Sequence, residues 1–255
     1  MRRIRIYYNG DLNTGITVML DKNASHHLLR VLRKKIGDTF FIFNGKGGEF
    51  DAILKADQQK VACVEIGHFH ALKTESSLSI HLGQGISRGE RMDYAIQKAS
   101  ELGVAEITPL MTEYCQVQLS SERMEKRVLH WQAIATSAAE QSGRASVPIV
   151  HPASTFVTWI SKKSNAKFIC CPLRTSSVPR MKSNEFLDSL HTISDCLLTI
   201  GPEGGFSQEE IKAAMKANFI PLSLGPRILR TETASVVAMT MLQGRFGDLN
   251  PVFTF

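Results

Sequence analysis

The chain has 255 residues, of which 43% are hydrophobic and 21% are charged. This composition is ordinary for a folded globular protein and excludes a chain that is disordered throughout, and the length allows one large domain or two modest ones. No apolar run approaches the roughly 20 residues that span a bilayer, and no apolar signal core follows the N-terminal charges. We therefore expect a cytoplasmic protein that is neither secreted nor anchored in a membrane.

The five cysteines indicate a reducing compartment rather than a metal site. Their number is odd, and their spacing lacks the paired arrangement of metal ligands. The adjacent Cys170 and Cys171 lie in an apolar run that predicts a buried strand, and His81 lies in another predicted strand, where we expect a structural role. The sequence therefore predicts packed, reduced thiols and no metal ion.

The net charge of +6 is concentrated at the N-terminus. Residues 1–35 contain eight Lys or Arg and two Asp, which accounts for the whole net charge, so the remaining 220 residues balance to zero. A basic segment confined to one end of a chain indicates a surface for a polyanion, and nucleic acid is the partner that we favour. A solvated basic face without a partner remains the alternative.

Residues 1–70 are predicted to be rich in β-strands. Alternating or aromatic-rich runs predict strands at residues 4–8, 39–45, 49–54 and 59–66. Residues 23–35 fit one short helix whose basic side chains face outward. Several short strands with one helix indicate a small barrel, and the polar segment 71–77 is the candidate linker. We place the first domain at residues 1–74.

After the linker, strands alternate with helices. The predicted strands are residues 78–83, 104–110, 167–171, 196–200 and 220–224, and the predicted helices are residues 91–102, 122–142, 208–218 and 233–246. Ser207 and Glu210 have the spacing of a capping box at the start of the third helix. Alternating strands and helices predict a mostly parallel sheet covered on both faces. The expected fold class is α/β, with a second domain at residues 75–255.

A glycine-rich loop, GPEGGFS at residues 201–207, follows one predicted strand and precedes a helix. Such loops let a ligand approach the backbone and the free N–H groups of the helix, and phosphate is their usual guest. Glu203 would repel a phosphate, and the spacing matches neither a dinucleotide fingerprint nor a P-loop. A neutral or cationic ligand, such as an adenosine linked to a sulfonium, fits better. A purely structural glycine turn remains the alternative.

A second loop, LGPRILRTETA at residues 224–234, follows the next predicted strand. Arg227, Arg230 and Glu232 lie within six residues, and burying such charges without partners would be costly. Thr231 and Thr233 are placed to cap the last helix. Because parallel strands present their carboxyl ends at one edge of the sheet, the two loops predict a substrate-facing site there. The alternative is a surface salt bridge between Arg230 and Glu232.

Five ordered sequence blocks, including both loops, resemble a known family. The other three are HHLLRVLR at 26–33, RMDYAIQKASELGV at 91–104 and AEQSGR at 139–144. The chain resembles the SPOUT class of S-adenosylmethionine-dependent RNA methyltransferases. More narrowly, it is similar to the RsmE family, which methylates N3 of a uridine in small-subunit (16S) ribosomal RNA. One departure is Ser235, where the family pattern has a second alanine, and a serine fits that space.

The resemblance implies an N-terminal PUA-like β-barrel and a C-terminal SPOUT domain with a deep trefoil knot. It implies a homodimer that acts on small-subunit ribosomal RNA or on the assembled small subunit. S-adenosylmethionine would be held within the knot, largely by backbone groups. The residues implied for cofactor binding are Pro172, Leu173, Gly201, Pro202, Glu203, Gly204, Leu224, Gly225, Ile228, Leu229 and Thr233.

The expected chemistry centres on Arg230 and Glu232. N3 of uracil is protonated at neutral pH, so the proton must leave before a methyl group can be transferred. We expect Arg230 to stabilise the developing negative charge, and Glu232 to accept the proton or to orient Arg230. Other basic residues are expected to contact RNA phosphates without reading bases. The predicted RNA-binding set is Arg2, Arg3, Arg5, His27, Arg30, Arg33, Lys34, Arg144 and Arg227.

Several alternatives remain open. His27 and its neighbour His26 could instead cap the helix, and Arg227 could be structural. The protein could be a non-catalytic RNA-binding factor for ribosome assembly, or a SPOUT methyltransferase with another RNA target. A Rossmann-type dehydrogenase is disfavoured by the loop spacing.

Overall fold

The structure of the protein is a computed structural model, and it describes residues 3–117, 120–172 and 193–250. The chain divides into two compact units. The first comprises Met1–Glu75 and Thr136–Val147, and the second comprises Ser76–Ala135 and Pro148–Phe255. The domain boundary at residue 74 stays a prediction, and the first unit also takes in a segment from far along the chain.

The first unit is built on a mixed five-stranded sheet. Its strands are β1 (Arg5–Tyr7), β2 (Thr17–Met19), β3 (Thr39–Phe43), β4 (Gly48–Gln58) and β5 (Val61–Ala71). The spatial order is β1-β3-β4-β5-β2, and only the β1–β3 pair is parallel. Alternate residues point to one face, so Ile42, Leu54 and Val64 share a buried core with Leu28. This sheet agrees with the predicted β-rich N-terminal region, although β2 was not predicted.

The single helix predicted at residues 23–35 is present but shorter than predicted. Helix α1 covers only Lys22–His26, and a π-helical turn, His27–Val31, continues it. The Asp21 carboxylate caps α1 by accepting hydrogen bonds from two backbone N–H groups. Arg33 has a φ of +53°, in the left-handed region, which ends the helical path. Lys34 therefore lies in the connection to β3 and not on a helix.

The second unit contains the predicted parallel sheet. Its strands are β6 (Ser79–Gly85), β7 (Glu106–Met111), β8 (Ile149–Val150), β9 (Ser154–Thr155), β10 (Ala166–Cys170), β11 (Asp195–Ile200) and β12 (Ile220–Leu222). The order is β12-β10-β11-β6-β7-β8, β9 also pairs with β7, and every recorded pairing is parallel. The short strands β8 and β9 were not predicted.

Helices cover both faces of this sheet, as the sequence predicts. They are α2 (Glu90–Glu101), α3 (Ser121–Ser142), α4 (Phe156–Ile160), α5 (Gln208–Lys216) and α6 (Thr231–Phe246). Neighbouring strand residues enter different cores: Phe168 packs in the cluster containing residues of α2, α3 and α6, whereas Ile169 packs with α4 and α5. Because successive strand side chains point to opposite faces, these two clusters lie on opposite sides of the sheet. No helix in the described ranges is long and apolar enough to cross a membrane.

Candidate active site

A cavity of about 580 Å³ lies at the carboxyl ends of β10, β11 and β12. Its walls come from the ends of these strands, from both loops predicted to carry chemistry, and from the first turn of α6. Clefts at the carboxyl edge of a parallel sheet are the usual ligand sites of open α/β folds, and this volume suits a small organic ligand. The sheet thus brings the two separate sequence loops into one site.

The first loop, residues 201–207, turns tightly against β6. The Gly205 N–H donates a hydrogen bond to the Pro202 carbonyl at 2.9 Å, which closes the turn. A Cβ atom on Gly85 would lie 2.4 Å from the nitrogen of Pro202, so this strand position requires glycine. The predicted capping box is present: Ser207 accepts from the N–H of Glu210, and the Glu210 carboxylate accepts from that of Ser207. The loop therefore has a single rigid path into α5.

The second loop reaches α6 without a side-chain cap from the described residues. Gly225, with a φ of +100°, turns the chain out of β12. Ile228 is 86% exposed although it lines the cavity, so a large apolar surface faces the open space. Helix α6 begins at Thr231 with Arg230 as the N-cap residue, two residues before the predicted start. Uncapped N–H groups at a helix start are available to a ligand.

A buried polar network, which sequence reasoning missed, joins β6 to both loops. Gln84 is fully buried, donates to the hydroxyl of Thr231 at 2.9 Å and accepts from Ser235 at 2.5 Å. The Thr231 hydroxyl in turn donates to the Gly201 carbonyl at 2.6 Å. The prediction that Thr231 caps α6 is therefore wrong, and its side chain instead ties the helix to the first loop. A glutamine inside an apolar strand, followed by two glycine loops, was the signal that could have revealed this network.

Ser235, which departs from the family pattern, has a defined role in this network. Its hydroxyl donates to Gln84 and lies 3.0 Å from the carbonyl oxygen of Thr231 in the preceding turn. An alanine there would leave the Gln84 side-chain oxygen without this donor, and unpaired buried polar groups are costly. The serine is thus accommodated by a hydrogen bond and not merely by space.

The Glu203 carboxylate already accepts two hydrogen bonds within the protein, so its negative charge is partly neutralised before any cationic ligand binds. Its Oε1 atom accepts from the Arg91 guanidinium at 2.8 Å and from the Arg88 backbone N–H at 3.0 Å. Partial burial acts to raise the pKa of Glu203, but these hydrogen bonds and the Arg91 charge outweigh it and hold the pKa below its ordinary value. Arg91, which also lines the cavity, was not among the predicted site residues.

The predicted catalytic pair lies at the cavity wall without mutual pairing. Arg230 is exposed, and no ion pair joins it to Glu232 in the part of the chain that the structure describes. The Oε2 atom of Glu232 is buried and has no hydrogen-bond partner among the described residues. A buried carboxylate oxygen without a donor is uncommon in a native fold. The predicted alternative, a surface salt bridge between these residues, is therefore not formed.

Most of the predicted cofactor-binding residues converge on the cavity. Thr233 is exposed and does not line it, and Leu173 lies outside the described residues. Cys170 and Cys171 also reach the cavity wall as free thiols, and burial raises the pKa of both. The predicted residues that line the cavity are Pro172, Gly201, Pro202, Glu203, Gly204, Leu224, Gly225, Ile228 and Leu229, together with Arg227, Arg230 and Glu232.

Two residues of the predicted RNA-binding set are buried in the first unit, so their assignment is corrected. Arg5 is 5% exposed and bonds to the Glu49 carboxylate and to the carbonyl oxygens of Ala139 and Arg144. Arg144 is also 5% exposed and pairs with Glu75 at 2.6 Å. Guanidinium groups enclosed in this way cannot reach an RNA phosphate, and both residues instead stabilise the fold of the unit.

The other members of the set differ in accessibility. Arg30 and Arg33 are exposed, whereas His27 and Lys34 are half-buried. Arg3 pairs with Glu49 and lies 4.1 Å over the Phe41 ring. Arg2 lies outside the described residues.

The expectation that no cluster of side chains could bind a metal ion is also corrected. His81, Glu106 and His151 bring three potential ligand atoms within 4.8 Å of one another, far from one another in sequence. The parallel pairing of β6, β7 and β8 produces this cluster, and sequence spacing alone could not reveal it.

The fold and the cavity correspond to a known class of protein. A family model of the RNA methyltransferase domain matches residues 74–243, and a model of the RNA methyltransferase PUA domain matches residues 20–66. The chain is thus of the RNA methyltransferase class, with an N-terminal PUA-like domain.

Within that class, the chain belongs to the ribosomal RNA small subunit methyltransferase E family. The protein of that name from Buchnera aphidicola subsp. Schizaphis graminum is 37% identical over 249 residues, which cover 96% of this chain and 98% of that protein. The family assignment made from sequence blocks is therefore confirmed, as is the α/β fold.

Two solved structures are similar over nearly the whole chain. One is a Legionella pneumophila protein described as a methyltransferase in complex with the bound cofactor SAM. It is 40% identical to this chain with a TM-score of 0.90, and the match covers 98% of this chain and 100% of that protein. The ribosomal RNA small subunit methyltransferase E of Neisseria gonorrhoeae, bound to S-adenosyl methionine, has 36% identity and a TM-score of 0.82, with coverages of 97% and 100%.

Proposed function

We propose that this protein transfers a methyl group from S-adenosylmethionine to N3 of a uridine in small-subunit (16S) ribosomal RNA. The observation that carries the proposal is the cavity at the carboxyl edge of the sheet, where both glycine loops meet Arg230 and Glu232. Family membership supports the reaction class and the cofactor. A non-catalytic assembly factor would have no need for a cavity whose wall carries the exposed Arg230 and a buried Glu232 oxygen that lacks a hydrogen-bond partner among the described residues.

The cavity residues fit S-adenosylmethionine in size and chemistry. The volume of about 580 Å³ lies within the range of sites for ligands of this size. Backbone groups of the two glycine loops are accessible for an adenosine, and the exposed Ile228 side chain offers apolar contact. When bound, S-adenosylmethionine supplies an electrophilic methyl group. We assign its binding to the cavity-lining residues named above and to Leu173, which directly follows the cavity-lining Pro172 in the chain.

The protein's own contribution to the reaction is the handling of one proton and one negative charge. We assign to Arg230 the stabilisation of the anion that forms when uracil loses its N3 proton. We assign to Glu232, whose Oε2 has no described partner, either the acceptance of that proton or the orientation of Arg230. Neither residue is held by the other, so both side chains can turn toward a substrate.

Binding of RNA is assigned to the predicted basic residues other than Arg5 and Arg144, which are buried. Arg30 and Arg33 have accessible guanidinium groups near the start of the chain, where the positive charge is concentrated. Such contacts position RNA through phosphates and weaken with salt. The revised RNA-binding set is Arg2, Arg3, His27, Arg30, Arg33, Lys34 and Arg227.

Three further features complete the proposal. The resemblance to SPOUT enzymes supports a deep trefoil knot around the cofactor, a homodimer, and a cytoplasmic enzyme acting on the RNA or on the assembled small subunit. Size-exclusion chromatography with light scattering tests the dimer: a mass near twice 28.3 kDa is expected, and a monomer that is fully active would refute that part.

The decisive experiment is nucleoside mass spectrometry. Small ribosomal subunits that lack the modification are incubated with the protein and isotopically labelled S-adenosylmethionine. Labelled 3-methyluridine is expected. Another labelled nucleoside would contradict the target base while retaining the reaction class, and RNA binding without any label would favour the assembly factor.

A further inference from the structure

A cluster of three potential metal ligands lies at the opposite edge of the sheet from the cavity. Glu106 is the first residue of β7 and pairs in register with His81 near the start of β6. His151 directly follows β8, and its backbone N–H donates to the Ile107 carbonyl at 2.8 Å. His81 and Glu106 thus lie near the amino ends of β6 and β7, and the pairing of β8 with β7 brings His151 beside them, away from the loops that form the cavity.

The spacing of the ligand atoms suits a single ion. The Glu106 Oε2 atom lies 2.6 Å from His151 Nε2 and 3.6 Å from His81 Nδ1, and all three atoms lie within 4.8 Å of one another. Ligand atoms bound tetrahedrally to zinc at about 2.0–2.2 Å are separated by about 3.3 Å. The 2.6 Å contact between Glu106 and His151 is a hydrogen bond, which a bound ion would replace.

The other ring nitrogen of His81 is already held as in many metal sites. His81 Nε2 forms a 2.7 Å hydrogen bond with the buried hydroxyl of Thr108, and the His81 ring packs edge-on against Trp159 with 4.8 Å between centroids. Histidine ligands commonly have their second nitrogen fixed by such an outer partner, which sets the ring orientation. Here it directs Nδ1 toward Glu106.

The cluster is accessible, and one cation lies close to it. The side chains of Glu106 and His151 retain 41% and 32% of their exposure, which allows an ion to enter and leaves room for water as a further ligand. The Lys162 ammonium lies 5.5 Å from the centroid of the Trp159 ring that contacts His81. Its charge opposes a bound cation, so it lowers the affinity of the site.

We propose that His81, Glu106 and His151 form a binding site for a divalent transition-metal ion of the zinc type, with water in the remaining position. Two imidazoles and one carboxylate are a ligand set that zinc accepts in proteins. An ion there joins β6, β7 and β8, so its effect is on the stability of the second unit and not on methyl transfer. This site is separate from the proposed function and does not depend on it.

The test uses the untagged, full-length protein after chelator treatment and dialysis. Absorption of bound cobalt(II) in its visible d–d bands reports coordination, and competition with zinc gives the affinity of zinc. His151→Gln and Glu106→Gln each remove one ligand, and Lys162→Met removes the opposing charge. His68→Gln, which replaces an exposed histidine of the first unit, is the matched control. We expect one ion per chain, a loss of affinity of about tenfold or more in the first two variants, and tighter binding in the third.

Thermal denaturation gives an independent reading. Zinc is expected to raise the melting temperature of the wild-type protein and of His68→Gln, but not of His151→Gln. Absence of cobalt or zinc uptake at micromolar concentrations would overturn the proposal. Equal uptake by wild type, His151→Gln and Glu106→Gln would also overturn it, because the ion would then be bound elsewhere.

Discussion

Replacing Arg5 by methionine separates a structural role from an RNA-binding role. The Arg5 guanidinium donates to Glu49 at 2.7 Å and to the carbonyl oxygens of Ala139 at 3.0 Å and Arg144 at 2.7 Å. The side chains of Arg5 and Glu49 are 2% and 1% exposed, so solvent screens this interaction little. Methionine preserves much of the side-chain volume but removes every donor.

The expected loss of stability follows from what remains buried. Removing one partner of a buried ion pair costs about 3–5 kcal/mol, because the other charge is left uncompensated. Arg3 also pairs with Glu49 and retains part of the compensation, whereas two buried carbonyl groups lose their donor. We therefore expect a destabilisation of about 3–5 kcal/mol, which for a chain of this size lowers the melting temperature by about 6–20 °C.

The assay compares thermal unfolding and RNA binding for Arg5→Met and Arg33→Met in the full chain. Arg33 is exposed, so its variant should keep the wild-type melting temperature and bind RNA more weakly. Arg5→Met should show the large thermal shift and, below its unfolding temperature, near wild-type RNA affinity. Wild-type stability combined with weakened RNA binding in Arg5→Met would refute the reasoning.

Three further predictions concern the cavity, its buried network and acid stability. Arg230→Ala should lower the single-turnover rate of methyl transfer by about 10²–10³-fold without changing the melting temperature, as for the loss of a charge-stabilising donor, and an unchanged rate would exclude the assigned role. Thr231→Val should lower the free energy of unfolding by about 1–3 kcal/mol, because Gly201 and Gln84 lose a buried hydrogen-bond partner, and should weaken S-adenosylmethionine binding measured by calorimetry. The control Thr240→Val, on the exposed face of α6, should change neither quantity. Equal losses of stability and of binding in the two variants would contradict the proposed link. Partial burial acts to raise the pKa of Glu75, but hydrogen bonds from Arg144 and Ser146 and the Arg144 charge outweigh it and hold the pKa below its ordinary value. The stabilisation is therefore present above the pKa of an unfolded glutamate and is lost as the pH falls through the lower folded pKa. Glu75→Gln should be less stable than the wild type in urea at pH 7, and a stability difference that grows on acidification would refute this sign.

The fold and the location of the site could be predicted because their signals are local. The helix at 91–102 and the strand at 196–200 follow hydrophobic periodicity, and the capping box of Ser207 and Glu210 is a short-range pattern. Both glycine loops follow strands, and parallel pairing of those strands places them at one edge. The convergence of the loops on one cavity therefore follows from simple rules.

Other features depend on contacts between residues distant in sequence. Arg5 belongs to a basic stretch, and only the fold reveals that Glu49, 44 residues away, neutralises it. Gln84 and Ser235 are separated by 151 positions, and their hydrogen bond has no local signature. The helix predicted at 23–35 ends early, since a π-helical turn covers His27–Val31 and Arg33 adopts a left-handed conformation, and hydrophobic periodicity signals neither feature.

The discontinuity of the first unit has a consequence for synthesis on the ribosome. Glu75 receives hydrogen bonds from Arg144, Ala145 and Ser146, and Arg5 bonds to the carbonyl group of Ala139. The nascent chain can therefore complete this unit only after residue 147 has been made, which is about 4–14 s after residue 75 at elongation rates of about 5–20 residues per second. During that interval the Glu49 and Arg5 side chains lack part of their final surroundings. A fragment ending at the linker would stay in this unfinished state, so residues 1–75 depend on the later segment Thr136–Val147 to complete their own unit.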